Sequence, residues 1–266
     1  MLIVCNVQFS NLIKKTIEIL LDGSERAILK IKPTGCEFQA VDSLAVSVYV
    51  FRFLAARFFR YDVLEPHTVK LNLRPLHMYL KAQPPGSLVF SSKNKSVYVT
   101  VLSKYLKHDQ AHAAGNCFNL HHNATDRTKY FDINPDLFRS WACFSIDTEE
   151  FSNIILDLSV GGGYLDICLD KNTLELTTIF ETGRITITAT AQQNHGKEFR
   201  MNRAPPSPIK NRYLTKFFKQ SCGIVPTCVD MKVFIKPNGP IVLEMTLENN
   251  ISKLYVCMMP VGNEFL

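Results

Sequence analysis

The stretch FSNLI at Phe9 to Ile13 returns as FSNII at Phe151 to Ile155, 142 positions later. A second pair follows in the same order: RPLHMYLK at Arg74 to Lys81 and RYLTKFFK at Arg212 to Lys219, 138 positions apart. Both members of that pair read Arg-x-Leu-x-x-x-apolar-Lys. Two repeats at nearly one offset restrict the chain to an internal duplication, in which each copy must build the same supersecondary unit. A length of 266 residues accommodates two ordinary domains.

The repeated segments are the helical ones. Leu12, Ile13, Thr16, Ile17 and Leu20 form an apolar face, with Asn11, Lys14, Lys15 and Glu18 on the other side and Ser10 as a candidate N-cap. Phe151, Ile154, Ile155 and Leu158 repeat that spacing after Thr148, the candidate cap, with Asp147 as the alternative; Gly161 to Gly163 supply a stop. The other two helices are Arg74–Lys81 and Arg212–Lys219. Around them lie short β-rich runs such as AILKIKP, VSVYVFRF and SVYVTVL in the first half. LELTTIF, RITITATA and PIVLEMTLE answer them in the second, separated by PTG, PPG, KNK and KPNG turns. The reading is α+β: two similar domains, each an antiparallel sheet with two helices. Domain boundaries fall at 1–120 and 142–266, joined by a polar connector over 121–141 that is longer than most connections within a domain.

Composition narrows the class further. An apolar content of 46% with 20% charge supports full cores. No apolar run is long enough to span a bilayer, and MLIVCNVQF lacks a basic flank and small-residue cleavage site, so an intracellular protein is expected. The cysteines at 5, 36, 117, 143, 168, 222, 228 and 257 form no CxxC pair and sit mostly in apolar runs, as reduced core thiols do. The net charge of +6 permits a polyanionic partner without requiring one. Cys117, His121 and His122 lack a fourth ligand for zinc, no nucleophile stands beside a base, and GGGY follows a helix without a P-loop lysine. No cofactor, metal or catalytic residue is expected.

FQAVDSLAVSVYV at Phe38, FRYDV at Phe59, EEFSNIILDLS at Glu149, RYLTKFF at Arg212 and GPIVLEMTLENNISKLYVCMMPV at Gly239 together resemble the sliding clamps of the proliferating cell nuclear antigen type. The resemblance spans nearly the whole chain. It implies a DNA clamp fold with helices lining a central channel, a head-to-tail homotrimer around double-stranded DNA, and a clamp loader that opens it. It also implies no catalysis; no membrane partner is expected, because no apolar run is long enough to span a bilayer. DNA polymerase and other replication or repair clients would bind through short apolar peptide motifs, in the nucleus or wherever DNA is replicated.

A sliding ring needs cations that attract phosphate without reading bases. Arg212, Thr215, Lys216 and Lys219 form a stripe at i, i+3, i+4 and i+7, Lys14 and Lys15 share the polar face of the first helix, and Lys81 closes the third. Solvated helix faces look alike; the resemblance singles out Lys14, Lys15, Lys81, Arg212 and Lys219. Where the family carries arginines on the helix opening the second domain, this chain has Asn153, Leu156 and Asp157. The basic, Pro-rich segment from His195 to Arg212 reads as a loop that compensates. The resemblance places a client pocket at Val41, Pro240, Cys257, Met259 and Pro260, walled by Tyr130, Phe131 and Ile133. It places subunit contacts on the strands at Gly115–His121, with Cys117 and Asn119, and Arg184–Ala191, with Ile185, Ile187 and Thr188. The residues leave open a homotrimer, a monomer or dimer acting directly on DNA, and a subunit of a heteromeric checkpoint clamp. A small hydrolase is the reading from another class.

Overall fold

A computed structural model describes residues 1–93, 96–103, 117–120, 131, 133–191, 199–247 and 252–261. The chain divides into two compact units, one of Met1–Ser43 and Tyr49–Phe131, the other of Leu44–Val48 and Asp132–Leu266.

In the first unit β1 (Leu2–Val4) leads into α1 (Val7–Gly23). Then come β2 (Arg26–Lys32), β3 (Gly35–Val41), β4 (Ser47–Leu54), β5 (Arg60–Asp62) and β6 (His67–Asn72), followed by α2 (Leu73–Ala82), β7 (Gly86–Lys93), β8 (Ser96–Ser103) and β9 (Cys117–Leu120). The second unit repeats this order. It runs β10 (Ala142–Ile146), α3 (Thr148–Leu158), β11 (Tyr164–Leu169), β12 (Thr173–Phe180), β13 (Gly183–Thr190), β14 (Phe199–Arg203) and β15 (Ile209–Leu214). It closes with α4 (Thr215–Cys222), β16 (Cys228–Ile235), β17 (Ile241–Leu247) and β18 (Lys253–Met258). The strand orders also match: β5-β1-β7-β8-β9 and β4-β3-β2-β6 in one unit, β14-β10-β16-β17-β18 and β13-β12-β11-β15 in the other.

The duplicated residues occupy equivalent environments. Phe9 and Phe151 are buried, Ser10 and Ser152 are buried behind them, and Asn11 and Asn153 face solvent. Phe9 sets its ring edge-on to Phe53 and Phe58, at centroid distances of 5.1 and 4.9 Å. Phe151 lies 6.3 Å from Phe218. Burying such a ring contributes roughly 2–3 kcal/mol. Within each unit the two helices pack on each other.

The second repeat has a different offset from the one its letters suggest. The expected helix from Arg212 is a strand through Leu214, and α4 starts at Thr215. Leu73, Leu76 and Leu80 of α2 are buried, as are Thr215, Phe218 and Cys222 of α4, each corresponding pair being 142 positions apart. The 138-position match is one helical turn out, and a four-residue slip preserves the face that the letters display.

Three end signals also differ. The cap of α1 is Asn6, whose side chain accepts the Phe9 N–H at 2.8 Å. Ser10 instead donates its hydroxyl to the Asn6 carbonyl and accepts the Leu88 N–H, joining the helix to β7. Asp147 rather than Thr148 caps α3, accepting from the N–H groups of Glu149 and Glu150. The glycine run is a close approach: a Cβ on Gly161 would fall 1.0 Å from the Phe180 ring, and one on Gly162 2.2 Å from Thr178 Oγ1.

The segment expected as a basic loop contains β14 and part of β15. Its prolines at 205, 206 and 208 fall in the connection between these strands, where no ladder donor is lost.

Candidate nucleic-acid interface

In the first unit Lys14 and Lys15 stand half-buried on α1, and Lys81 is exposed in the last turn of α2. Partial burial lowers the Lys14 pKa from the ordinary lysine value. The far end of α1 is acidic and already engaged: Glu25, just beyond it, accepts from Arg74 of α2 at 2.7 Å, and the Asp22 carboxyl senses both Glu18 and His77. The cationic part of this helix pair therefore lies at Lys14, Lys15 and Lys81. In the second unit Lys216 and Lys219 are exposed on α4, at the positions that Arg74 and His77 hold on α2. α3 adds no cation, exposing Glu149, Asn153, Leu156 and Asp157.

Arg212 stands on β15, ahead of α4, and not on the helix with these lysines. Its strand position directs the guanidinium at Asp166 of β11, with Nε to Oδ1 at 2.6 Å and Nη2 to Oδ2 at 2.8 Å, over the Tyr164 ring at 5.9 Å. A bidentate pair of this kind takes two of the five guanidinium N–H donors and sets a carboxylate against the charge.

The expected client-pocket residues divide between the units. In the first unit Val41 ends β3, and Phe131 is held by Gln39. The Gln39 amide donates to the Phe131 carbonyl at 2.6 Å, and its oxygen accepts the Phe131 N–H at 2.9 Å. Tyr130 lies outside the described residues. In the second unit Met259 is exposed and Ile133, Pro240, Cys257 and Pro260 are half-buried; burial pushes the Cys257 thiol up to about 11. The Met259 N–H donates to the Val46 carbonyl at 2.9 Å, which brings exposed Leu44 to the same segment.

β15 is the support for these apolar residues of the second unit. Asn211 directs its amide at Tyr213 Oη (2.7 Å) and the Lys236 carbonyl (2.8 Å), while its oxygen accepts the Asn238 N–H (3.0 Å). Tyr213 donates to the Gly239 carbonyl at 3.0 Å, and the Val261 N–H to the Arg212 carbonyl at 2.8 Å. The turn before Pro240, including Asn238 at φ 49°, and the segment around Pro260 are thus both fastened to one strand. Removing Asn211 orphans several buried partners. Asn211→Ala is expected to cost about 2–3 kcal/mol, measurable as a lowered midpoint in urea denaturation.

The expected subunit strands, β9 and β13, each end a sheet among the described strands. In β13 the register with β12 runs from Phe180↔Gly183 to Thr173↔Thr190, across a two-residue turn. Such a turn is closed by a hydrogen-bonded pair, and pairs alternate beyond it. Gly183, Ile185, Ile187 and Ala189 therefore bond to β12, and the Ala191 N–H continues the series to the Asn172 carbonyl. Arg184, Thr186, Thr188 and Thr190 point their backbone groups outward. On β9 the Asn119 side-chain oxygen is buried without a hydrogen-bond partner; the Cys117 side chain and the flanks of this strand lie outside the described residues.

Seven cysteines with described side chains are free thiols. Among the described residues no His, Cys, Asp and Glu side chains gather to hold a metal, and no helix is long and apolar enough to cross a membrane.

No family model and no curated protein sequence matches the chain. Its structure is similar to that of proliferating cellular nuclear antigen from Entamoeba histolytica, with TM-score 0.77 and 19% identity over 98% of each chain. It is likewise similar to a chain of the PCNA2–PCNA3 complex of Sulfolobus tokodaii, with TM-score 0.76 and 15% identity, covering 98% of this chain and 99% of that one. Two units with one element order and one strand order, matched to these structures along almost the entire chain, give the protein the α+β fold of the PCNA-type sliding clamps.

Proposed function

We propose that the protein is a DNA sliding clamp: a ring that encircles duplex DNA and tethers a polymerase and other replication or repair proteins to it. The observation that carries this reading is the duplicated unit, with lysines on exposed helix positions and an open strand at the end of a sheet in each copy. Identical subunits that present two different edges associate head to tail, and such contacts close into rings when the rotation allows. β9 of one subunit pairs with β13 of the next, which also covers two edges that are otherwise open to aggregation.

Lys14, Lys15, Lys81, Lys216 and Lys219 hold the DNA backbone without selecting sequence. Clients dock an apolar plug on the second unit, against Ile133, Pro240, Cys257, Met259 and Pro260, with Leu44 added to that set. The clamp is non-catalytic, requires a loader, and works in the nucleus or wherever replication takes place.

A second reading, a subunit of a heteromeric clamp, draws support from the two-protein complex among the similar structures. A monomer or dimer acting directly on DNA is the third arrangement. Light scattering across a concentration series separates them. The homotrimer predicts three times the 30.2 kDa mass of one chain; a mass of 30.2 kDa throughout removes it.

A further inference from the structure

The cations of the Pro-rich segment stand away from the helices, on a face for which the clamp reading has no use. β10 pairs with β14 on one side and β16 on the other, so that Ser145 lies between Arg200 and Lys232, and Cys143 between Arg203 and Phe234. Phe144, Met231 and Val233 point to the buried side of this sheet; Arg200, Asn202, Arg203 and Lys232 are exposed on the other. The shift in register between Cys143 and Phe144 places Asn202 on the same outward face, where its amide donates to Ser145 Oγ at 2.6 Å. Arg200 and Lys232 are two strand spacings apart, about 10 Å.

Among the described residues no ion pair is made by Arg200, Arg203 or Lys232. Glu244, next to Lys232 in register, is engaged by Lys253 at 2.6 Å, and Arg203 donates to the Trp141 carbonyl at 3.3 Å. Asp230, two residues along β16, bounds the cluster at one end. Burial raises the Cys143 pKa, Lys232 and Arg203 act to lower it and Glu244 to raise it, so the two cations and one carboxylate all stand near that thiol. The first unit supplies an internal comparison. Its equivalent edge strand, β5, places Tyr61 where β14 has Arg200, and the row beside it is Ile3 and Phe90, both buried, at the positions of Ser145 and Lys232. The fold does not need cations there.

We propose that this face, together with the open edge of β14, docks an extended acidic segment of a partner protein. β14 ends its sheet among the described strands, so its outward backbone groups are available to an added strand, whose alternate side chains would fall over Arg200 and Arg203. Nucleic acid is the poorer fit. Single strands stack their bases on exposed aromatic rings; here Phe234 and Tyr255 are buried against Phe138, and Trp141 is half-buried beside the same ring.

The test is fluorescence anisotropy with the full chain and a fluorescein-labelled peptide of alternating glutamate and valine. Saturable binding is expected. Arg200→Glu with Arg203→Glu should weaken it about tenfold, as should methylation of alternate peptide amides, while Arg60→Gln leaves it unchanged. The milder pair Arg200→Gln and Arg203→Gln, with an unaltered melting curve, guards against loss of fold and should weaken binding in the same direction. Equal binding by both double variants overturns the proposal, as does equal binding of the methylated peptide. Oligothymidine that displaces the peptide and fails to bind the arginine variants also overturns it, assigning the face to nucleic acid. All of these outcomes are independent of whether the protein forms a ring.

Discussion

Thr188→Pro is expected to release the assembly into single chains of 30.2 kDa, while Ile187→Pro, one residue earlier, damages the subunit itself. The difference follows from the two-residue turn between β12 and β13. Ile187 faces Leu176 in a hydrogen-bonded pair, so proline there removes a bond within the sheet and costs roughly 1–3 kcal/mol of folding stability. Thr188 directs its N–H away from β12, where only a neighbouring strand can use it. Light scattering and thermal melting together read the two effects. A Thr188→Pro protein that melts normally and keeps its mass would exclude β13 from the subunit contact.

Replacing Lys14, Lys15, Lys81 and Lys219 together with glutamate is expected to weaken binding to duplex DNA by about a hundredfold or more at moderate salt. The slope of log affinity against log salt should fall by about one for each phosphate that is no longer neutralised. Arg212→Gln serves as the control, since Asp166 already occupies that guanidinium, and it should leave the slope unchanged. If the quadruple variant binds DNA with the parent slope, the helices do not neutralise the phosphates. If Arg212→Gln lowers the slope by about one, the ion pair opens on DNA and the arginine belongs with the lysines.

The parts of this fold that were legible in the sequence are those written in local periodicity. The apolar spacing of α1 and α3 and the Phe-Ser-Asn pair report a duplicated helix because burial repeats every three to four residues. The same periodicity concealed the true start of α4. A pattern that recurs each turn reads equally well four residues early, so the strand through Arg212 looked like the first turn of a helix, and with it the arginine looked free for DNA. Caps failed for a related reason: Asn6, Ser10, Asp147 and Thr148 are all competent residue types, and only the path of the preceding strand decides among them.

The supports were not legible at all. Gln39 holds Phe131 across 92 positions and Asn211 holds Lys236 across 25, and in the sequence each is one polar letter within a strand. The prolines at 205, 206 and 208 are incompatible with a central strand. Their exclusion does not reach the residues on either side, which form an edge strand and the end of a second sheet.

Retention on circular DNA tests encirclement most directly. A closed ring assembled on a covalently closed plasmid is topologically linked to it, whereas a protein held by surface charge is not. The loaded protein is expected to stay with the plasmid through gel filtration at high salt and to be lost once a single restriction cut gives the DNA ends. Equal loss from circular and linear DNA, or equal retention on both, would contradict a closed ring around the duplex.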